Sequence, residues 1–318
     1  AAIMGMFFRK KVLLCEVEGA YGTGDPSVGS GTTCLVLNLS IQPYTGDSIS
    51  RDFNRFYLGA QQTLVTGDRV VVSFDVEMAS RDQTVGRTQW GKLIRACGFA
   101  QTFVAATSTT FTPASTSLES SAFNFYVDGQ EHLVAGCRGN VAFNISRGQM
   151  PKVTFTMTGI YSRPTAVANP APSQFGFGWG DPFPVSAVNT PTFSLHGYAA
   201  YCESVQIDMG NEVVYRDIIG HREAYIVDRK PKATFVIEAP VVGSKNYFTA
   251  TESHLGSIVL SAFQLIHGVG VNNLVQLDAP KVQITNITAQ ESDGFLAYQL
   301  ECSLLPDVGN DELVILTS

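Results

Sequence analysis

The chain has 318 residues, of which 45% are hydrophobic and 15% are charged, and its formal net charge is −7. This length leaves room for two domains, each with a core of its own, and the composition excludes a disordered chain or a coiled coil. The acidic balance argues against a protein that grips nucleic acid, because contacts to phosphates need clustered Lys and Arg.

Residues 1–34 are typical of an N-terminal arm. Their glycine-rich stretch 19–31 lacks the GxxxxGK[ST] pattern that cradles phosphate, so we predict a flexible or partner-bound segment. The apolar residues 1–8 precede the basic cluster Arg9, Lys10 and Lys11, which is the reverse of a signal peptide. No apolar run approaches the roughly 18 residues of a transmembrane helix. We therefore expect a soluble product made inside the cell, without membrane insertion.

Residues 35–162 are predicted to form a first β domain. Its clearest strand is two-sided, with apolar residues on one face and polar residues on the other. The apolar face is Val70, Val72, Phe74, Val76 and Met78, and the polar face is Arg69, Ser73, Asp75 and Glu77. A short helix is predicted at 90–96 and an extended or mobile loop at 102–121. Further strands are predicted at 35–41, 123–127, 131–134, 141–145 and 153–157.

Residues 163–192 change character and are predicted to be a linker, because prolines, glycines and aromatic residues alternate there. The aromatic content indicates that this linker packs on something. Residues 193–318 are predicted to form a second β domain with another two-sided strand, in which Ala233, Phe235, Ile237 and Ala239 alternate with Lys232, Thr234 and Glu238. A short helix is predicted at 245–249.

The two halves show a pattern of internal duplication. One offset aligns Gly59 with Gly220, Val65 with Ile226, Phe74 with Phe235 and Glu77 with Glu238. A second offset aligns Val141 with Val282, Phe143 with Ile284, Phe155 with Leu296 and Met157 with Tyr298. We interpret the chain as two tandem domains that arose by duplication.

Residues of the types that catalyse reactions or bind metals are scattered along the sequence. The five histidines form no HxxxH pair, the six cysteines show no CxxC spacing, and there is no GxSxG elbow. We therefore predict no metal, no cofactor and no enzymatic activity, and buried, reduced thiols. The polar faces of the long strands are better functional candidates, since Asp75, Glu77 and Glu238 would face either a channel or bulk water.

Several segments carry a resemblance to a known family. They include YLGAQQTLVTGDRVVVSFDVEMA at 57–79, WGKLIRACGF at 90–99 and LLPDVGNDEL at 304–313, together with 10–26, 128–161 and 193–220. In these stretches the chain resembles the major tail tube proteins of long-tailed, siphophage-type bacteriophages, in their double-domain form. The resemblance covers most of the chain, and its segments carry no chemical signature.

The resemblance implies a mainly β protein of two tandem tail-tube-type sandwich or barrel domains, each with a short flanking helix. It implies that the protein oligomerises with copies of itself into rings, which are expected to be trimers with pseudo-six-fold symmetry. These rings would stack into a tube. The tube would belong to the virion tail, assemble in the bacterial cytoplasm and carry double-stranded DNA into the host without specific binding. The tape measure protein and the tail terminator are the other expected partners.

Roles for particular side chains follow from the resemblance. An acidic lumen would repel phosphate and keep DNA sliding. Asp75, Glu77 and Glu238 are then expected to face the lumen, and the basic residues expected at contacts between subunits or rings are Arg9, Lys10, Lys11, Arg69 and Lys232. Two other readings stay open: a tail terminator or baseplate-proximal ring protein, and a β-sandwich binding module.

Overall fold

The computed structural model describes residues 5–27, 32–79, 90–105, 107–171, 179, 181–269 and 273–318. The first half of the chain contributes strands β1 Lys11–Val17, β2 Thr33–Cys34, β3 Leu37–Ser50, β4 Thr63–Glu77, β5 Phe99–Val104, β6 Ser108–Pro113, β7 Ser121–Val127, β8 Gln130–Ser146, β9 Lys152–Tyr161 and β10 Thr165–Ala166. Helix α1, Gly91–Ala96, lies between β4 and β5. The protein is therefore mainly β, as the sequence predicted.

The second half has the same character. Its strands are β11 Thr192–Leu195, β12 Cys202–Asp208, β13 Asn211–Ile218, β14 His221–Arg229, β15 Lys232–Glu238, β16 Ser261–His267, β17 Val275–Ser292, β18 Phe295–Leu305 and β19 Val314–Thr317. Helix α2, Phe248–Thr251, and a 3-10 helix, Ser253–Leu255, follow β15. Helix α1 confirms the prediction at 90–96, and α2 begins later than the predicted 245–249.

Antiparallel pairing links the two halves into one sheet. Its main run has the order β3-β4-β9-β8-β12-β15-β18-β17-β16-β11. The halves meet along β8 and β12 in this run, and a second junction pairs β6 with β19. Strands β13 and β14 form a separate hairpin.

The same order of pairing occurs in both halves. In the first half it is β1-β7-β8-β9-β4-β3, and in the second it is β11-β16-β17-β18-β15-β12. Phe74 pairs with Phe155 and Phe235 pairs with Leu300. Keeping Phe74 aligned with Phe235 therefore aligns Phe155 with Leu300, so the second offset of the sequence, which put Phe155 on Leu296, is wrong.

The core lies on the apolar face of this sheet. Val72, Phe74, Phe155 and Phe235 are each at most 1% exposed, as the alternating pattern predicted. Phe74 stacks on Phe155 with ring centroids 5.5 Å apart. Trp90, before α1, stacks on Phe111, and its Nε1 donates a 2.7 Å hydrogen bond to the Ala79 carbonyl. Helix α1 is thereby tied to the end of β4.

The described part of the predicted arm includes a core strand. Strand β1 pairs with β7 along its whole length, and Leu13, Leu14 and Cys15 are fully buried. The segment Lys11–Val17 is thus built into the sheet. The apolar sequence VLLC supplies the reason, because an isolated arm would leave these side chains in water.

The predicted loop at 102–121 is wrong over much of its length. Strand β6 lies within it and pairs with both β5 and β19. Thr109, Phe111 and Pro113 are buried in alternation with half-buried residues, so this Thr-rich stretch follows the period of a strand. Threonine favours strands because its branched side chain fits a pleated surface.

The predicted linker at 163–192 contacts the sheet at several points. Strand β10 pairs with β8, and the Trp179 Nε1 donates a 3.1 Å hydrogen bond to the Thr33 carbonyl. Trp179 also packs against the core, as its aromatic character indicated. Phe175 and Phe177 lie outside the described residues. The domain boundaries themselves stay predictions.

Candidate inner surface and subunit edges

The polar face of the long sheet is the first candidate for function. Rows of facing residues cross it from strand to strand, and most are Ser, Thr, Asn or Gln. One such row reads Glu77, Lys152, Asn144, Gln206, Thr234, Glu301 and Asn286. This face therefore combines many uncharged amide and hydroxyl groups with a smaller number of charged side chains.

The three carboxylates singled out in the sequence lie on this face. Asp75 accepts 2.7 Å hydrogen bonds from the Thr154 hydroxyl and the Asn38 side-chain amide. Glu77 lies opposite Lys152 on β9, and Glu238 is exposed at the end of β15. The structure therefore spreads these acids over two strands that β9, β8 and β12 separate in the sheet order.

Sequence reasoning missed two further acids on the same face. Asp208 on β12 lies opposite Lys232 and accepts a 2.7 Å hydrogen bond from the Asn140 amide. Glu301 on β18 is exposed and lies opposite Thr234. The alternation of Asp208 and Glu301 with apolar neighbours was visible in the sequence. Only the register of strand pairing shows that they share a face with Asp75. Five acids on this face, Asp75, Glu77, Asp208, Glu238 and Glu301, thus outnumber its basic residues Arg69, Lys152 and Lys232.

Two of the basic residues predicted at subunit contacts, Lys10 and Lys11, make contacts within the chain. The Lys10 ammonium lies 3.1 Å from Asp128, and the Lys11 ammonium donates a 3.1 Å hydrogen bond to the Leu39 carbonyl. Hydrogen bonds from the Phe7 N–H and from Lys10 hold the pKa of Asp128 below its usual value. Arg9 is exposed.

Arg69 and Lys232, the other basic residues of that set, lie on the polar face. Arg69 is 3.8 Å from Asp47, a long ion pair, and it donates to the Gly67 carbonyl. Lys232 is exposed beside Asp208. Their expected place at subunit contacts stays a prediction.

Besides the outer side of the four-residue strand β11, the main run of strands has two longer edges that none of the described strands covers. One is the side of β3 that faces away from β4. The other is the side of β17 beyond Val282, since β16 pairs with β17 only up to that residue while β18 covers the opposite side. Unpaired N–H and C=O groups along such edges readily pair with another chain.

Comparison with known families identifies the family of this chain. A family model described as "Phage tail tube protein" matches residues 8–290, most of the chain. The chain belongs to the phage tail tube protein family. No curated protein matched it.

This tail tube protein carries a long projecting hairpin that the sequence did not indicate. Strand β4 pairs with β9 only from Arg69 onward, so Thr63–Asp68 and the facing part of β3 extend beyond the sheet. Phe56 and Leu58 at the tip are fully exposed, at 100% and 102%. The Gln61 side chain closes the turn with two hydrogen bonds to the Phe53 backbone. Its Oε1 accepts from the Phe53 N–H at 2.6 Å, and its Nε2 donates to the Phe53 carbonyl at 2.8 Å.

The β13–β14 hairpin occupies the corresponding place in the second half, between β12 and β15. It folds over the first half, where Glu223 forms a 2.6 Å ion pair with Arg138. The Ala224 N–H donates a 2.7 Å hydrogen bond to the Tyr21 hydroxyl, and Arg222 lies 2.6 Å from Asp68. Its tip exposes Ile219 completely. Gly210 bends the chain into this hairpin with φ +58°, and a Cβ there would lie 2.4 Å from the Lys230 carbonyl oxygen.

Other kinds of site have less support. Among the described residues, no group of three or more His, Cys, Asp or Glu has the arrangement of a metal site. All six cysteines are free, and all are buried except the half-buried Cys202. A cavity of about 360 Å³ next to α1 is lined by Phe99, Phe103 and Leu118 and by the Arg95–Glu119 ion pair. No described helix has the length and apolar character to cross a membrane.

Proposed function

We propose that this protein assembles with copies of itself into rings that stack into the tail tube, through which DNA passes into the host. The main support is the long antiparallel sheet, which is polar on one face and leaves β3 and part of β17 uncovered on one side. Closure of a sheet on itself removes its edges. Closure with the polar face inward would enclose a wet channel.

A ring of three copies fits the repeated order of pairing. Each copy would contribute two similar halves, and three copies would give six quasi-equivalent segments around the bore. Duplication of one ancestral domain accounts for that order and for the aligned strands β4 and β15. The domain limits predicted from the sequence follow the same division, with the strand of residues 11–17 added to the first domain.

An acidic channel wall suits the passage of DNA. Asp75, Glu77 and Glu238 would face the lumen together with Asp208 and Glu301, and the many amide and hydroxyl groups between them would keep the wall wet. Negative charge opposes binding of phosphates, so DNA would slide without specific contacts. The tape measure protein and the tail terminator are the other partners proposed for the tube.

Electron microscopy tests the assembly. We expect the purified protein at high concentration to form long tubes with a regular axial repeat, visible by negative stain, with sedimentation showing the smallest species. A single closed ring that never lengthens would instead favour a tail terminator or a baseplate-proximal ring protein. A stable monomer at every concentration would reject assembly and favour a binding module.

The direction of the polar face has its own test. We expect tubes of the Glu238→Cys variant, labelled with a small gold cluster before assembly, to show gold density on the inner wall in averaged cross-sections. Val308→Cys, at the exposed turn before β19, is the matched control for labelling efficiency, since Val308 is 89% exposed. Gold on the outer wall for Glu238→Cys would contradict a lumen lined by Asp75, Glu77 and Glu238.

A further inference from the structure

The junction between the two halves is the starting point. Strand β12 pairs with β8 in one antiparallel register, in which Asp208 faces Ala142, Gln206 faces Asn144 and Ile207 faces Phe143. Ile207 and Phe143 point into the core, and the other residues point to the polar face. The main run of strands thus contains one complete junction between the two halves of the chain.

Strand β3 takes the place in the first half that β12 takes in the second. Ile207 on β12 pairs with Ala233 of β15, and Ile41 on β3 pairs with Val72 of β4. Val72 and Ala233 are equivalent in the alignment of Phe74 with Phe235. Ile41 is therefore the counterpart of Ile207, and by the same pairing Ser40 is the counterpart of Gln206 and Gln42 that of Asp208.

Strand β17 takes the place of β8. On the first half, Phe143 pairs with Val153, which pairs with Val76. On the second half, Ala289 pairs with Tyr298, which pairs with Ile237. Val76 and Ile237 are equivalent in the same alignment, so Ala289 is the counterpart of Phe143. Thr288 and Gln290 are then the counterparts of Ala142 and Asn144.

We propose that β3 of one copy pairs antiparallel with β17 of a second copy in the register of the internal junction. In this register Gln42 faces Thr288, Ile41 faces Ala289 and Ser40 faces Gln290. This inference rests on the proposed assembly and assigns the two edges that meet and their alignment. Each junction between copies would then repeat the junction within a copy.

The side chains on both edges fit this register. Gln42, Ser40, Thr288 and Gln290 all lie on the polar face, whereas Ile41 and Ala289 lie on the core side. A slip of one residue would place Ile41 in the channel, since neighbouring residues of a strand point to opposite faces.

Exposed apolar surface accompanies the β17 edge. Phe295 and Leu296, at the start of β18, are 66% and 55% exposed and lie opposite Ser292 and Glu291 at the end of β17. Ile41 and Leu39 of β3 are only half-buried in the isolated chain. Pairing of the two edges would cover Ile41 of one copy and Ala289 of the other. The Leu39 carbonyl is already bonded to Lys11, so the shared ladder would extend from Ser40 toward Gln42.

Disulfide cross-linking between two single variants tests the register. Gln42→Cys and Thr288→Cys are purified separately, mixed, assembled into tubes and oxidised. A disulfide needs Cβ atoms about 4 Å apart, which facing residues of paired strands approach, so we expect a covalent dimer from the mixture and from neither variant alone. The dimer and no larger species should form, because each chain carries one introduced cysteine. Ala142→Cys/Asp208→Cys is the positive control, which should close within one chain.

An off-register mixture gives the comparison. Ser292→Cys lies four residues beyond Thr288, about 13 Å along the strand. Mixing it with Gln42→Cys should therefore give at most about a tenth of the dimer that the Gln42→Cys and Thr288→Cys mixture gives. Tubes that form from every mixture without the in-register dimer, or with more off-register dimer, would overturn the assigned register and leave the proposed assembly intact. Absence of tubes from the unmodified chain would overturn both. The unmodified chain also reports cross-linking through its own cysteines.

Discussion

Replacement of Arg138 by methionine should lower the free energy of unfolding by about 3–5 kcal/mol, because it leaves the partners of a nearly buried charge unsatisfied. The Arg138 side chain is 9% exposed and that of Glu223 is 14% exposed. Its guanidinium donates to the Glu223 carboxylate at 2.6 Å and to the carbonyls of Ala224 and Leu118, each at 2.8 Å. Denaturant unfolding at a concentration where sedimentation shows monomers measures the change.

Two variants separate this effect from a general loss of packing. Arg138→Met combined with Glu223→Gln should recover part of the loss, because no uncompensated carboxylate then remains buried. Arg147→Met removes an exposed pair with Asp293, whose side chains are 60% and 69% exposed, and should change stability by less than about 1 kcal/mol. If Arg138→Met lowers the free energy of unfolding no more than Arg147→Met does, the β13–β14 hairpin does not depend on the Arg138–Glu223 ion pair.

Acid should weaken the same contact. Burial by itself would raise the pKa of Glu223, but hydrogen bonds from Arg138 and from the Tyr225 hydroxyl lower it below its ordinary value. A carboxyl with a lowered folded pKa contributes stability above its unfolded pKa and loses that contribution as pH falls through the folded value. The difference in stability between the native chain and Glu223→Gln should therefore shrink in acid.

Replacement of Phe56 and Leu58 by serine should abolish long tubes while leaving the monomer as stable as before. Both side chains are fully exposed in the single chain, so they add nothing to its core, and as neighbouring exposed apolar groups on a projecting hairpin they are expected to contact another copy in the proposed tube. Burial of one such side chain is worth about 1.5–3 kcal/mol, so losing two at a contact between copies should weaken that contact by about two orders of magnitude or more. Electron microscopy and sedimentation measure assembly, and thermal unfolding measures the monomer.

The matched control for the hairpin tip is Val308→Ser. Val308 is 89% exposed but stands alone in the turn that follows β18, so its replacement should leave tube length unchanged. Tubes of normal length from Phe56→Ser/Leu58→Ser would show that the projecting hairpin does not join copies. Shortened tubes from both variants would point to a nonspecific effect of lost apolar surface.

The local pattern of apolar and polar residues predicted individual strands and the direction of their side chains. Alternation of apolar and polar residues identified β4 and β15 and put Asp75, Glu77 and Glu238 on polar faces, because side chains of a strand point alternately to its two sides. The helix predicted at 90–96 from its helical stop signal corresponds to α1. The sequence analysis missed β6 because its high Thr and Ser content was taken as a sign of a loop, although its residues alternate with the period of a strand. It also missed the core strand β1, which lies inside a segment interpreted as an arm.

The amino-acid sequence by itself determined that this protein is mainly β, that its strands have one apolar and one polar face, and that it resembles tail tube proteins. Only the tertiary structure decided that β8 meets β12, that Asp208 and Glu301 share a face with Asp75, and that β3 and β17 are left uncovered. The physical reason is that strand partners are chosen between residues far apart in the chain. Hydrogen bonds of the backbone are the same for every residue, so the choice rests on packing that no single segment contains.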